Sequence, residues 1–251
     1  MKLKKYSKNK VYIVGAGPGD CELITIKGQK ILKKADCIIY DYLVNKKLLR
    51  YTPKTAELIN ADGIRNSFSD GFTKEQDKLN GLLVEKAKKY KTTVRLKNGD
   101  SVIFGRLNEE IESLVKNKID FEIIPGITAA SAVAASLNLG LTKTKIAPVV
   151  LFATGHENPF CKNSSIDYKK LPHRATLVFY MASENIGKLS YKLTASGWNK
   201  NTFCGVVGNA GMPDEKKWLG KLMDIKKIAN KIKPPVIFLV GDILKYAIKK
   251  K

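Results

Sequence analysis

The sequence predicts an α/β protein composed of two α/β domains. Candidate strands and helices alternate through the first half of the chain, which is typical of a parallel sheet covered by helices. The first strand runs directly into a glycine-rich turn, and Pro125-Gly126 interrupts the alternation. The second half then carries more strand for each helix, which favours a mixed sheet. We therefore expect an N-terminal domain over residues 1–125 and a C-terminal domain over residues 126–251.

The elements of the first half follow from its hydrophobic pattern. Short apolar runs predict four strands, at Val11–Val14, Cys37–Tyr40, Thr93–Lys97 and Phe121–Ile124. Apolar residues at helical spacing predict three helices, at Leu23–Lys34, Lys74–Lys89 and Asn108–Lys118. Asn108 is the expected N-cap of the third helix, because acidic residues follow it where the helix dipole favours them.

The second half begins with a helix of small residues, Ala129–Leu137, which allows close packing. Five strands are predicted after it, at Val149–Ala153, Thr176–Tyr180, Thr202–Val207, Trp218–Leu222 and Val236–Val240. A helix over Glu184–Ala195 should end at Gly197, a favourable C′ residue. A last helix is expected over Ile225–Ile232, with Asp224 as its N-cap.

The turn after the first strand is the first candidate binding site. The chain reads V-Y-I-V-G-A-G-P-G-D from Val11 to Asp20, and glycines allow a backbone to approach a ligand closely. A dinucleotide-binding loop is one alternative, but its spacing is Gly-x-Gly-x-x-Gly, which this turn does not have. Pro18 also removes a backbone donor, and Asp20 places a carboxylate where a pyrophosphate would lie. A tight turn without a ligand is the other alternative for this motif taken alone.

Composition narrows the class of protein. The 251 residues include 45 Lys and Arg against 23 Asp and Glu, a formal net charge of +22. The lysines are dispersed and no Arg-rich patch with interleaved aromatic residues occurs, so we attribute the charge mainly to composition and expect no nucleic-acid partner. No apolar run is long enough for a membrane span. Four cysteines without metal-ligand spacing and only two histidines argue against a zinc site and indicate reduced thiols in a cytoplasmic protein.

Six further motifs follow G-A-G-P-G-D in a defined order. They read D-C-I-I-Y-D-Y-L-V from Asp36, V-R-L-K-N-G-D-S-V-I-F-G-R-L-N-E-E from Val94, I-P-G-I-T-A from Ile124, A-T-G-H from Ala153, T-L-V-F-Y-M from Thr176 and P-V-I-F-L-V-G-D from Pro235. In this order they resemble the motifs of the tetrapyrrole methylases, and among these the chain is most similar to the uroporphyrinogen-III C-methyltransferases. The resemblance spans the chain from Lys10 to Leu244, and the order of the motifs is more specific than any one of them.

The resemblance implies two α/β domains of the class III methyltransferase type, with S-adenosylmethionine bound in a cleft between them. It implies methylation of uroporphyrinogen III at two ring carbons, giving precorrin-2, a precursor of sirohaem and cobalamin. It also implies a homodimer. A positively charged cleft suits a polycarboxylate substrate. Because a reduced pyrrole ring is electron-rich at carbon, aligning it with the methyl donor would supply most of the rate.

The resemblance also implies roles for individual residues. The residues implied to contact S-adenosylmethionine are Pro18, Asn98, Gly99, Asp100, Ile103, Thr128, Ala129, Met181 and Ala210. Asp41 resembles the proton acceptor proposed for the family, and Arg106 is a candidate for binding a substrate carboxylate. Without the resemblance, Asp41 and Asp100 could each belong to a turn, Met181 to the core, and Arg106 to an ion pair with Glu109 or Glu110.

The chain departs from the family pattern in two loops. Asn98 and Ser101 stand where the family has glycine and proline. The family often has a lysine, proposed as a proton donor, beyond the aspartate, whereas here no lysine occurs between Leu58 and Thr73 and Arg65 is the only cation of that loop. A guanidinium stays protonated, so Arg65 could orient a carboxylate but is a poor acid. The alternatives are a methyltransferase for a later precorrin, an RNA methyltransferase of the same superfamily and a non-catalytic protein that binds the cofactor.

Overall fold

The computed structural model describes residues 9–62, 71–156, 166–228 and 231–247. The chain divides into two compact units, Met1–Thr128 and Ala129–Lys251. Each unit contains one five-stranded sheet with helices. The α/β fold class predicted from the sequence is confirmed. No helix within the described ranges is both long enough and apolar enough to span a bilayer.

The first unit is built on a parallel sheet. Its strands are β1 (Lys10–Gly15), β2 (Cys37–Tyr40), β3 (Glu57–Asn60), β4 (Thr92–Lys97) and β5 (Asp120–Ile124). Their order across the sheet is β3-β2-β4-β1-β5, and every neighbouring pair is parallel. All five carboxyl ends therefore lie at one edge, which is the edge at which open α/β sheets bind ligands.

Three helices of the first unit have described bounds: α1 (Ile26–Leu32), α2 (Gly71–Lys89) and α3 (Leu107–Lys116). The alternating strand residues face two separate apolar clusters. Ile39 packs with Leu83 and Leu114 of α2 and α3, while its neighbour Ile38 packs with Leu32 of α1. Both faces of the sheet are thus buried, which explains its near-continuous apolar strands.

The structure corrects two helix starts in this unit. The predicted helix Leu23–Lys34 is split into a 3₁₀ turn, Cys21–Leu23, and α1, because the side chain of Thr25 caps α1 by accepting from Gly28 N at 3.1 Å. The prediction that Asn108 is the N-cap of α3 is wrong. Helix α3 begins at Leu107, which is buried, and the residue before it has left-handed backbone geometry and no side-chain cap.

The second unit has a mixed sheet, as the sequence predicted. Its strands are β6 (Val149–Thr154), β7 (Ala175–Tyr180), β8 (Phe203–Gly208), β9 (Lys216–Lys221) and β10 (Val236–Val240), in the order β6-β7-β10-β8-β9. Strands β6 and β7 are parallel, and the other neighbours are antiparallel. Because β7 and β8 are both antiparallel to β10, their carboxyl ends lie at the same edge.

The helices of the second unit are α4 (Ala129–Ser136) and α5 (Ile186–Ala195). Gly197 lies just beyond α5 with φ of 99°, and Trp198 N donates to Leu193 O at 3.1 Å, so the predicted helix end is confirmed. The helix predicted over Ile225–Ile232 with Asp224 as N-cap is wrong. The segment is a 3₁₀ helix, Leu222–Lys227, whose buried Leu222 and Ile225 are three residues apart, matching the three residues per turn of that helix.

Candidate active site

The glycine-rich loop after β1 is joined to the loop after β4. Gly17 N donates to Gly99 O at 3.1 Å, and Gly99 N donates to Gly17 O at 2.8 Å. The φ angles are 81° at Gly17 and 65° at Gly99, a left-handed region that favours glycine. The two loops therefore form one backbone unit at the carboxyl edge of the first sheet.

The loop after β5 completes this edge. A Cβ added to Gly15 would lie 2.6 Å from Gly126 N and 2.8 Å from Gly99 O, so the three loops touch through their backbones. Only glycine fits at such a distance. We refer to residues 15–20, 98–101 and 125–128 as the glycine rim.

All six cofactor residues implied for the first unit lie on or beside the glycine rim: Pro18, Asn98, Gly99, Asp100, Ile103 and Thr128. Asp100 also has a local role, because its Oδ1 accepts from Val102 N at 3.0 Å and its carbonyl accepts from Ile103 N at 3.2 Å. The turn considered for Asp100 is thus present. Ser101 beside it is fully buried, and its Oγ has no hydrogen-bond partner within the described part of the chain.

The remaining cofactor residues belong to the second unit. Ala129 begins α4, Met181 follows β7 and Ala210 lies two residues beyond β8. Met181 is 50% exposed with φ of 53°, so the alternative that it belongs to the core is wrong. Asn209, which precedes Ala210, has the same φ of 53°. Left-handed geometry at two non-glycine residues, both at the same edge of this sheet, is typical of functional segments.

Asp41 lies directly beyond β2, next to β4 in the sheet. Its backbone N donates to Leu96 O at 3.2 Å, which fixes its position against β4. Its Oδ1 accepts from Arg95 Nη2 at 2.5 Å. The Asp41 side chain is 19% exposed, whereas that of Arg95 is fully buried. A carboxylate held by a buried guanidinium, yet open to solvent, can accept a proton from a ligand at this edge.

Arg95 belongs to a larger group of buried charges. Arg95 Nε donates to Glu110 Oε1 at 2.9 Å, and Lys97 Nζ donates to the same oxygen at 2.7 Å. We refer to Asp41, Arg95, Lys97 and Glu110 as the buried charge network. Arg95 and Lys97 are alternate residues of β4, so they project from the same face of the sheet toward Glu110 of α3.

Burial lowers the pKa of both cations, but the net pKa shifts of Arg95 and Lys97 are opposite. Burial lowers the pKa of Arg95, yet the charges of Asp41 and Glu110 outweigh it and the pKa is raised from its ordinary value. Burial also lowers the pKa of Lys97, and the positive charge of Arg95 lowers it further, so it stays below its ordinary value despite Glu110. Lys97 is therefore the most readily deprotonated cation of the network.

Arg106 has a different environment. Its Nε donates to Glu109 Oε1 at 3.0 Å, so the ion pair considered from the sequence is present. Both side chains are exposed, by 38% and 43%. Arg106 adopts φ of 52° beside the rim loop that carries Ile103. Because this guanidinium is exposed, an anionic ligand can reach it.

The roles of Arg95, Lys97 and Glu110 were not predicted from the sequence. The V-R-L-K motif nevertheless carried a signal, because two cations alternate with apolar residues in a strand that pairs on both sides. Such buried cations require carboxylates nearby. Arg65, the only cation of its loop, lies outside the described residues, as does Cys161.

The family model described as Tetrapyrrole (Corrin/Porphyrin) Methylases matches residues 10–226. The chain belongs to the tetrapyrrole methylases. The family predicted from the order of the motifs is confirmed.

This tetrapyrrole methylase is similar over nearly its whole length to named relatives. It is 38% identical over 238 residues to the S-adenosyl-L-methionine-dependent uroporphyrinogen III methyltransferase of Methanosarcina barkeri, covering 94% of this chain and 92% of the relative. Among solved structures, it matches a cobalt precorrin-4 methyltransferase with a TM-score of 0.82 at 28% identity, covering 96% and 98% of the two chains. It matches the uroporphyrin-III C-methyltransferase of Thermus thermophilus in complex with S-adenosylhomocysteine with a TM-score of 0.78 at 27% identity, covering 96% of each chain.

Proposed function

We propose that this tetrapyrrole methylase is an S-adenosylmethionine-dependent C-methyltransferase that converts uroporphyrinogen III to precorrin-2 by two methylations. The observation that carries the proposal is the order of the strands at one sheet edge. Asp41 follows β2, and the adjacent strands β4, β1 and β5 lead into the glycine rim. A proton acceptor thus borders a backbone-lined edge suited to a ligand. The M. barkeri relative, named for this reaction, supports the assignment.

The residues proposed to hold S-adenosylmethionine are Pro18, Asn98, Gly99, Asp100, Ile103, Thr128, Ala129, Met181 and Ala210. The glycine rim fits this role, because its three loops are held against one another through their backbones at the carboxyl edge of the sheet, where open α/β sheets bind ligands. Small side chains at Ala129 and Ala210 and apolar ones at Ile103 and Met181 suit the adenine and methionine parts. When bound, S-adenosylmethionine supplies an electrophilic methyl group on its sulfonium. The complex of the T. thermophilus structure with S-adenosylhomocysteine supports this cofactor.

Asp41 is proposed to be the proton acceptor. Transfer of the methyl group to a pyrrole carbon would leave the alkylated ring with a proton to lose. Asp41 would take up that proton, and Arg95 Nη2 at 2.5 Å holds the carboxylate in place. Arg106 is proposed to bind a substrate carboxylate in the bidentate geometry that guanidinium groups favour.

We further propose that the protein acts in the cytoplasm as a homodimer on a small-molecule tetrapyrrole, without a nucleic-acid or membrane partner. The free and buried thiols of Cys21, Cys37 and Cys204 fit a reducing compartment. The homodimer rests on the family resemblance alone.

Methylation of a later precorrin is the second candidate function. The TM-score of 0.82 with cobalt precorrin-4 methyltransferase favours it, because this value exceeds the 0.78 found with the T. thermophilus complex. The sequence favours the first candidate, since identity rises to 38% with the M. barkeri uroporphyrinogen III enzyme.

The test is an anaerobic assay of the purified protein with S-adenosylmethionine and uroporphyrinogen III, with products followed by mass. We expect two methyl additions, and a loss of at least about 100-fold in turnover for Asp41→Asn, the scale typical of a general base. Asp120→Asn is the matched control, because Asp120 begins β5 at the opposite edge of the same sheet. No methylation of uroporphyrinogen III, with methylation of a later precorrin, would assign the second function instead.

A further inference from the structure

The buried charge network contains more residues than proton transfer by Asp41 needs. Within the network, Arg95 contacts the Asp41 carboxylate through its guanidinium, and Glu110 and Lys97 extend the network deeper into the first unit. The side chains of Arg95 and Glu110 are fully buried, and that of Lys97 is 3% exposed. Removing such charges from water costs several kcal/mol for each ion. Arg95, Lys97 and Glu110 lie at fixed positions on β4 and α3, so their arrangement is built into the fold.

The geometry defines what each member does. Glu110 Oε1 accepts from both Arg95 Nε and Lys97 Nζ, so one carboxylate oxygen holds two cations. Arg95 also donates Nη1 to the carbonyls of Ile39 and Leu96, at 3.4 and 3.3 Å. The remaining nitrogen, Nη2, points at Asp41. These hydrogen bonds fix the guanidinium in the orientation that directs Nη2 to the carboxylate of Asp41.

Charged and polar groups of the neighbouring elements also bear on the network. The carboxylates that raise the pKa of Arg95 most are Asp41 and Glu110, and the same two carboxylates oppose the lowering of the pKa of Lys97 by burial and by Arg95. Helix α2 presents two buried uncharged amides nearby, Gln76 and Asn80, which bond to each other at 2.8 Å, and Asn80 donates to Glu109 O at 3.3 Å. On α3, Glu109 senses Lys97 but pairs with Arg106 near the surface.

We propose that Glu110 and Lys97 are positioning residues for the proposed methyl transfer, fixing both the orientation of Arg95 and the net positive charge that the Asp41 carboxylate faces. The inference rests on the proposed role of Asp41 as proton acceptor. When Arg95, Glu110 and Lys97 are all ionised, these three residues together contribute one net positive charge near Asp41. When the charge of Lys97 is removed, the charges of Arg95 and Glu110 cancel. When the charge of Glu110 is removed as well, the single positive charge of Arg95 remains.

This charge count gives a test that a purely structural role would not pass. In Lys97→Met, which keeps an unbranched side chain one heavy atom shorter, we expect the acid limb of the kcat/KM profile to move to higher pH by about 0.5–1 unit, because Asp41 loses stabilisation of its ionised form. In the double variant Lys97→Met/Glu110→Gln, the limb should return to its wild-type position. Lys116→Met removes an exposed lysine from the last turn of α3 and should leave the limb in place, because solvent screens surface charges.

A second measurement separates this inference from the proposed function. The ionisation of Asp41 can be followed by carbon NMR of protein labelled at aspartate carboxyl groups, with Asp41→Asn used to assign the signal. The same upward shift of the titration midpoint in Lys97→Met, and the same return in the double variant, is expected even if uroporphyrinogen III is not the substrate. Lys97→Gln repeats the test if the Met variant does not fold.

Two results would overturn the inference. One is an unchanged titration of Asp41 in both folded single variants of Lys97. The other is loss of turnover at every pH in the single and the double variant alike, which would mean that the Lys97 amine itself reacts with substrate. An inactive wild type whose Asp41 midpoint still moves as expected would instead reject the proposed substrate and retain the positioning role.

Discussion

Two neighbouring glutamates at the start of α3 make the same kind of contact with opposite surroundings. Glu109 pairs with Arg106 at 3.0 Å, and both side chains are substantially exposed. Glu110 pairs with Arg95 at 2.9 Å, and both are fully buried. The two distances hardly differ, so distance alone does not say which pair contributes more to stability. The surface pair is screened and water can replace a lost partner, whereas water does not reach the buried pair to solvate a charge left behind. Although Glu109 and Glu110 are adjacent on the helix, Glu109 makes a local surface contact, whereas the stability of the first unit depends on Glu110.

The comparison is tested most severely by removing each carboxylate. Glu110→Ala should lower the free energy of unfolding by about 3–5 kcal/mol, because it leaves Arg95 and Lys97 buried with too little negative charge. Glu109→Ala should cost less than about 1 kcal/mol. Urea denaturation of both variants measures the difference. Equal losses would show that burial does not distinguish the pairs.

The exposed arginine should matter for binding rather than for stability. Arg106→Gln should raise KM for the tetrapyrrole about tenfold, since a charge-assisted hydrogen bond to a substrate carboxylate is lost. Its midpoint in urea should stay close to that of the wild type. Arg174→Gln, another exposed arginine but in the second unit, serves as the control. A stable variant with unaltered KM would remove Arg106 from the substrate site.

The buried lysine should make stability depend on pH in the alkaline range. Burial and Arg95 lower the pKa of Lys97 in the folded protein, so below about pH 10.4 the unfolded chain binds this proton more strongly than the folded one. Stability linked to Lys97 is therefore lower below its folded pKa and rises as pH increases from that value toward 10.4. The advantage of the wild type over Lys97→Met in unfolding free energy should grow with pH there, by at most about 1.4 kcal/mol per unit. A constant difference would contradict the shift.

The smallest expected effect is on the reactivity of two buried thiols, those of Cys37 and Cys204. Burial raises the pKa of the Cys37 thiol to about 11 and that of Cys204 to about 12. At pH 8 both should resist iodoacetamide in the folded protein, because the thiolate is the reactive form. Peptide mapping by mass spectrometry should find them modified only after denaturation. Rapid labelling of native Cys37 would show that β2 opens.

Much of the fold could be predicted because its signals are local. Apolar runs located the strands, and Gly197 marked the end of α5. Strand β3 was missed, since its residues are only half-buried at the sheet edge and Leu58 remains 45% exposed. The prediction of Asn108 as the N-cap failed because the capping preference of asparagine was outweighed by the burial of Leu107 and Glu110 on the same helix.

The candidate site was less accessible from sequence. The motifs identified Asp41 and the residues of the glycine rim through their order, and the roles of these residues stay predictions. The buried charge network depends on which side chains of β4 face α3 once the sheet has formed, a tertiary relation that no motif states. The αL geometry of Met181 and Asn209 was likewise invisible, because neither residue requires it by its own chemistry.

The paired hydrogen bonds between Gly17 and Gly99 have a consequence for the order of folding. They join segments far apart in sequence, and the flanking strands β1 and β4 pair over Lys10–Gly15 and Thr92–Lys97. Contacts of such high sequence separation carry a large loop-closure cost and form late. The nascent chain therefore cannot offer the glycine rim to a ligand until β4 and β5 have been synthesised and docked beside β1. A ligand that binds this edge recognises only the completed first unit, and it stabilises that unit by an amount that grows with the ratio of ligand concentration to Kd.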